Sequence, residues 1–408
     1  MAFKRKKLKN NITLITKAVP TSSVVALSIV IKAGSKYEKK GQRGYVHFLE
    51  HVLLKGSTNH QSSSIYKEIE MSGAWFNAFT NIDFIRLSIV VSAQKLPRLL
   101  GLLCDMISKP AITKEHIKTE KNVLIQERNN LFDSREARGW VELSKKMFKE
   151  HPLGNFPIGE EKDIHTASAE KIAAYYKQQF LSTNTAVFAI GKIKRKTIEQ
   201  ILEKRLSLPT TKKTKNDQQK NIPINKKREQ ILIKKDEKQT HIAIGYRLPP
   251  LTFKESLCLD LIASHIGYKK TSVLYKKLRE SQGLVYSINT ASLLFDNACV
   301  LYIATASSNP KEVLKIIEEE MLSINKSFSK QELKNRKDQL INLQKRIFST
   351  HHEEVLFMMK NWLLYKNKNI DTKSFEKELK KITLKDCSKI ISDLKKTKPV
   401  VVLIGKTK

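Results

Sequence analysis

The chain has 408 residues, enough for two packed domains of roughly 200 residues each. Hydrophobic residues make up 40% of it, which excludes a globally disordered chain. Seventy-five Lys and Arg against 40 Asp and Glu give +35, a charge suited to acidic partners; the excess is mostly Lys spread along the whole length, reads first as solvated surface, and comes with no recognisable nucleic-acid-binding signature.

Taken in order, residues 11–18 alternate and 22–32 are a β-branched run, so both read as strands. A helix follows over 41–54. A second over 62–72 is closed by Gly73 at its C′ position. Residues 75–80 and 85–92 read as strands. Helices are expected over 95–109, stopped by Pro110, and over 114–132, 135–149 and 168–179. A short buried strand over 185–191 and a helix over 195–206 end this half. Residues 209–229 are rich in Lys, Asn and Thr and read as an exposed linker.

The order then begins again. Strands are expected at 230–235 and 241–247, helices at 254–266 and 272–282, and strands at 284–292 and 298–306. Helices follow at 310–324, 330–348, 352–364, 372–380 and 384–394, then a last strand at 400–404. Both halves share one rhythm, and each ends on an apolar strand followed by Ile-Gly-Lys (190–192 and 404–406). The expectation is an α+β chain: two homologous α/β-sandwich domains, each a mostly antiparallel sheet packed against helices. The boundaries are 1–208, the linker 209–229, and 230–408.

Cys104, Cys258, Cys299 and Cys387 lie in or beside apolar runs, none within CxxC spacing of another, and read as buried reduced thiols. The basic residues 1–9 lead into an alternating pattern instead of a continuous apolar stretch, and no run reaches the length of a membrane span. A soluble, cytoplasmic protein with no membrane span is expected.

The chemical centre is His47-Phe-Leu-Glu50-His51. On a helix, positions i and i+4 share a face, so both imidazoles can point at one ion, with Glu50 beside them. Two neutral imidazoles suit zinc, and a nearby carboxylate suits the proton transfer that activates a water. A third ligand is needed. Glu120 and Glu127 are two helical turns apart on one face, and either completes the set. His265, alone in the second half, reads as structural.

The segment Gly44-Tyr-Val-His47-Phe-Leu-Glu50-His51-Val-Leu-Leu-Lys-Gly56-Ser-Thr58 resembles the zinc helix of the pitrilysin family, which includes insulin-degrading enzymes and the mitochondrial processing peptidase. The resemblance covers almost the whole chain. Residues 73–80, 151–154, 158–159 and 274–287 are similar to further blocks of the family. The resemblance implies His47, His51 and Glu127 as ligands of one Zn²⁺ per chain, Glu50 as the base and Glu120 as a supporting carboxylate. It implies that Asn77 and Ala78 lie on an edge strand where substrate pairs, and that Arg279 and Tyr286 bind substrate from the second domain. Residues 264–270 are bulkier and more basic than the family's glycine-rich turn there.

The activity implied is zinc-dependent endopeptidase cleavage of peptides or unfolded protein segments held between the domains, with no specific nucleic acid as partner. The chain has the length of the family's two-domain members, so pairing as a homodimer, or as a heterodimer with a related subunit, is expected. Two rival readings are a non-catalytic partner subunit of a processing-peptidase-like complex and a basic binding protein, the latter drawing on Lys226-Lys227-Arg228.

Overall fold

A computed structural model describes residues 3–210, 222–365 and 370–406, and statements below refer to these. In chain order the first half forms β1 (Lys4–Lys7), β2 (Thr13–Ala18), β3 (Val24–Ile31), α1 (Tyr45–Leu54), α2 (Ser62–Met71), β4 (Trp75–Thr80), β5 (Ile85–Ser92), α3 (Leu96–Ser108), α4 (Lys114–Asp133), α5 (Arg135–Phe148), α6 (Glu161–His165), α7 (Ala169–Gln179), β6 (Thr185–Gly191) and α8 (Arg195–Arg205). The second half forms β7 (Glu229–Lys234), β8 (Thr240–Leu248), α9 (Phe253–Gly267), β9 (Ile288–Leu294), β10 (Cys299–Ser307), α10 (Pro310–Ser327), α11 (Lys330–Ile347), α12 (His351–Leu364), α13 (Thr372–Lys381), α14 (Leu384–Lys396) and β11 (Val400–Gly405).

The strands build two sheets, ordered β1-β2-β6-β3-β5-β4 and β7-β11-β8-β10-β9. With β1 set aside, both follow one order: first strand of the half, fifth, second, fourth, third. Each has a single parallel pair, β2 with β6 and β7 with β11, and is otherwise antiparallel. The mixed α/β architecture with two mostly antiparallel sheets is therefore the one expected, and the shared order is what a duplicated unit produces.

The chain divides into two compact units. One holds residues 1–130, 155–216 and 347–369; the other holds 131–154, 217–346 and 370–408. These are not the contiguous stretches 1–208 and 230–408. Of the expected linker, residues 211–221 lie outside the described residues.

The reason for the exchange is in the strands. β6 and β11 are buried along their whole length, so each sheet needs cover on both faces. In the first unit, Leu14, Leu27, Ile29, Leu87 and Val187 face one way, into a core shared with α1, α3, α7 and α8. Their neighbours Ile15, Ala26, Val30 and Phe188 face the other way, onto Val355, Met358, Met359 and Trp362 of α12. In the second unit α5 lies on β8 and β11. Gly245 on β8 makes room there, since a Cβ on it would fall 1.9 Å from the end of Met147.

One strand lies outside the expected ones, and one expected helix differs in its winding. β1, four exposed Lys and Arg residues, was not among the expected strands; antiparallel pairing with β2 makes it one. Residues 272–282 were expected to be a regular helix, but Tyr275–Ser281 winds as a wider π-type coil, with the Leu284 N–H reaching the Leu278 carbonyl at 2.8 Å.

Trp362 packs edge-on to Phe188 at 5.9 Å between ring centres and lies under the Lys32 ammonium at 4.0 Å. Trp362→Ala should cost about 3–5 kcal/mol. Equilibrium urea unfolding checks this; a loss below about 1 kcal/mol would mean that α12 is not part of the first unit's core.

Candidate metal centre

α1 is buried on most of its circumference: Tyr45, Val46, Phe48, Leu49, Val52 and Leu53 are in the core. His47, Glu50 and His51 fall on the partly open remainder. The helix's starting point is held by a residue far from the motif. Both oxygens of Glu38 accept backbone N–H groups at its N-terminus, from Gly44 at 2.9 Å and Val46 at 2.8 Å. These are amides that the helix cannot satisfy itself. Burial pushes the Glu38 carboxyl up to about 8, against the pull of those two bonds. Gly44 begins the helix at φ +103°, and Gly159, at φ +74°, lies against it. A Cβ on Gly159 would meet Gly44 Cα at 2.5 Å.

α4 brings the two carboxylates. Glu127 Oε2 lies 3.5 Å from His47 Nε2 and 3.6 Å from His51 Nε2. This is the one group of metal-type donors within 4.8 Å of one another among the described residues. Four donors placed tetrahedrally around zinc, with bonds of ~2.0–2.1 Å, stand about 3.3 Å apart, so the residues fit that ion. Glu120 is turned to the other side of His51. Its Oε2 lies 2.7 Å from His51 Nδ1, and its Oε1 lies 2.7 Å from Lys55 Nζ. The two candidates for the third position are thus separated: Glu127 joins the imidazole Nε2 atoms, and Glu120 holds the back of one ring.

The electrostatics agree with a donor set. Burial, with the His51 charge, pulls His47 down to about 3, so its imidazole stays neutral. Its Nδ1 is buried with no hydrogen-bond partner among the described residues. Burial raises the Glu120 carboxyl, but the bonds from Lys55 and His51 outweigh it and leave the group below its ordinary value, ionised. Glu50 goes the opposite way. Burial raises its carboxyl against the pull of Thr80 and His51, with the Glu127 charge adding to the rise.

Asn77 and Ala78 lie on β4, the edge strand of the first sheet, paired with Ser88 and Leu87 of β5. Ala78 turns toward the core that includes α1, and Asn77 is exposed. Arg279 and Tyr286 are in the second unit, where the guanidinium sits 5.3 Å from the Tyr286 ring and that ring is 79% exposed. His265 is held between Ser327 Oγ at 2.9 Å and Glu332 at 3.2 Å, as a structural histidine would be.

Sequence reasoning missed Lys55, Thr80 and Glu38. Lys55 caps the C-terminus of α1, four residues past His51, and was open to the face argument that found the histidines. Thr80 follows from the alternation on β4, two residues past Ala78. Nothing in the sequence marks Glu38.

Residues 13–160 match the profile of the insulinase family (peptidase family M16), and residues 166–340 match the profile described as the peptidase M16 inactive domain. The chain belongs to this pitrilysin/insulinase-type family. Its relatives include proteins described as uncharacterized zinc proteases in Rickettsia felis (25% identical, over 83% of this chain and 82% of that one) and in Bacillus subtilis (23%, over 83% and 82%). A protease from Helicobacter pylori has the same fold, with a TM-score of 0.90 at 19% identity over 99% of each chain. So does a chain of complex III2 from Candida albicans, with a TM-score of 0.83 at 14% identity over 98% of this chain and 95% of that one.

Gly159→Ala should move α1 or destabilise it. Backbone strain alone costs about 1–3 kcal/mol at such a φ, before the clash with Gly44. Urea unfolding and zinc titration by calorimetry should both worsen; an unchanged zinc affinity would show that the close approach does not position the histidines.

Proposed function

We propose that the chain is a zinc-dependent endopeptidase acting on peptides or unfolded protein segments. The observation that carries the reading is the convergence of His47 Nε2, His51 Nε2 and Glu127 Oε2, with Glu50 on the same helix. These three residues would hold one Zn²⁺ per chain. When bound, the ion supplies a Lewis acid that polarises the scissile carbonyl and acidifies a water.

The chain's own residues do the rest. Glu120 takes the Nδ1–H of His51 and so leaves the Nε2 lone pair free on the side of Glu127. Lys55 keeps Glu120 ionised for that task. Glu50, made more basic by its burial, accepts the proton of the attacking water and returns it to the departing amine. Substrate lies extended on the open edge of β4 at Asn77 and Ala78, exchanging main-chain hydrogen bonds. Arg279 and Tyr286 are read as further substrate contacts, a guanidinium and a hydroxyl suited to a carbonyl oxygen. Pairing with a second, related chain belongs to the same reading, by analogy with the two-domain members of the family.

The test is a quenched-peptide assay combined with metal analysis. Wild-type protein should carry about one zinc per chain and lose cleavage with a chelator. Glu50→Gln should keep the metal and lose activity by at least about 10²-fold. His51→Ala should lose the metal. Glu120→Gln should weaken zinc binding about 10–100-fold. A Glu50→Gln variant that cleaves at the wild-type rate sinks the mechanism. A zinc-loaded wild-type chain that cleaves no peptide points to the non-catalytic partner reading.

A further inference from the structure

The basic run Lys226-Lys227-Arg228 has no part in the catalytic reading. It rims a cleft of about 370 Å³ in the second unit. The cleft floor is apolar: Tyr246, Met321, Leu394 and Pro399 line it, all buried. Leu322, beside them, is 61% exposed on the rim. Lys395 and Lys398 also line it.

The charges around it are unequal. One carboxylate, Glu318, lines the cleft, and Arg228 already takes it at 2.8 Å. Lys395 donates to the side chain of Asn325. Among the described residues no carboxylate lies within ion-pair range of Lys226, Lys227 or Lys398. Three such cations around one apolar floor favour an anionic occupant that also carries an apolar group.

The floor discriminates between anions. Tyr246 is buried, so the lining offers no exposed aromatic face on which a base would stack. A bulky aliphatic side chain, by contrast, suits the exposed Leu322 and the buried Met321 that line the cleft with it. β7 begins at the residue after Arg228 and is the edge strand of its sheet, so an extended chain arriving at the cleft meets open main-chain groups.

We propose that this cleft docks an acidic peptide segment, with an aliphatic side chain against Leu322 and Met321 and its carboxylates on Lys226, Lys227 and Lys398. The proposal does not rest on the peptidase reading.

Fluorescence anisotropy on the full chain tests it, in chelator so that no probe is cleaved. The probe is a labelled peptide alternating Glu and Leu, with a Lys-for-Glu counterpart as control. The acidic peptide should bind saturably and the basic one should not. Binding should weaken as salt rises from about 0.05 to about 0.5 M. Combined Lys226→Glu, Lys227→Glu and Lys398→Glu should weaken it at least tenfold, roughly the effect of reversing a complementary rim. Leu322→Ser should weaken it severalfold without changing the salt dependence. These positions are exposed, so thermal melts should be unchanged. Absence of saturable binding, or equal binding by the triple variant, overturns the proposal. So does tighter binding of single-stranded RNA or phosphatidylserine vesicles through the same three lysines.

Discussion

The two bonds from Glu38 to the Gly44 and Val46 amides are the constraint on which the site depends. A helix presents a chosen face only if its first residue is fixed, because each residue of slippage turns the face by about 100°. With α1 pinned at Gly44, Tyr45, Val46, Phe48, Leu49, Val52 and Leu53 all fall into the core. His47, Glu50 and His51 are what remains, with Leu54 at the helix end. The apolar residues therefore hold the polar ones in place, and Gly159 against Gly44 permits the approach that makes this possible.

From that fixed face the roles of three carboxylates separate by environment. Glu120 is 3% exposed, yet stays ionised because Lys55 and His51 both bond to it. Glu127 is more open and stands in line with both imidazole Nε2 atoms. Glu50 lacks an ammonium partner, and burial raises it toward the basic side. One residue type thus takes three different environments within one unit of the chain, which the proposed roles of orienting group, metal donor and base require.

The second unit repeats the strand order of the first, but among the described residues it holds no group of three metal-type donors. α9 occupies the place between β8 and β9 that α1 takes between β3 and β4, and its histidine is tied to Ser327 and Glu332. What sets this unit apart is the π-type coil that carries Arg279, the exposed Tyr286 near it, and the basic cleft before β7.

Much of this was legible in the sequence. Strands β4, β5 and β6 lie where alternation and short apolar runs put them, because local side-chain pattern decides whether a segment can be buried on one face or on both. The pair His47 and His51 follows from helical period alone. The choice between Glu120 and Glu127 could not be made that way, because both share a face and only the approach of α4 to α1 gives one to Nε2 and the other to Nδ1. Glu38 and the crossing of α5 and α12 were equally hidden. They answer needs of buried amides and of two-faced strands, which arise only once distant segments are packed together, and no local pattern records which segment will meet them.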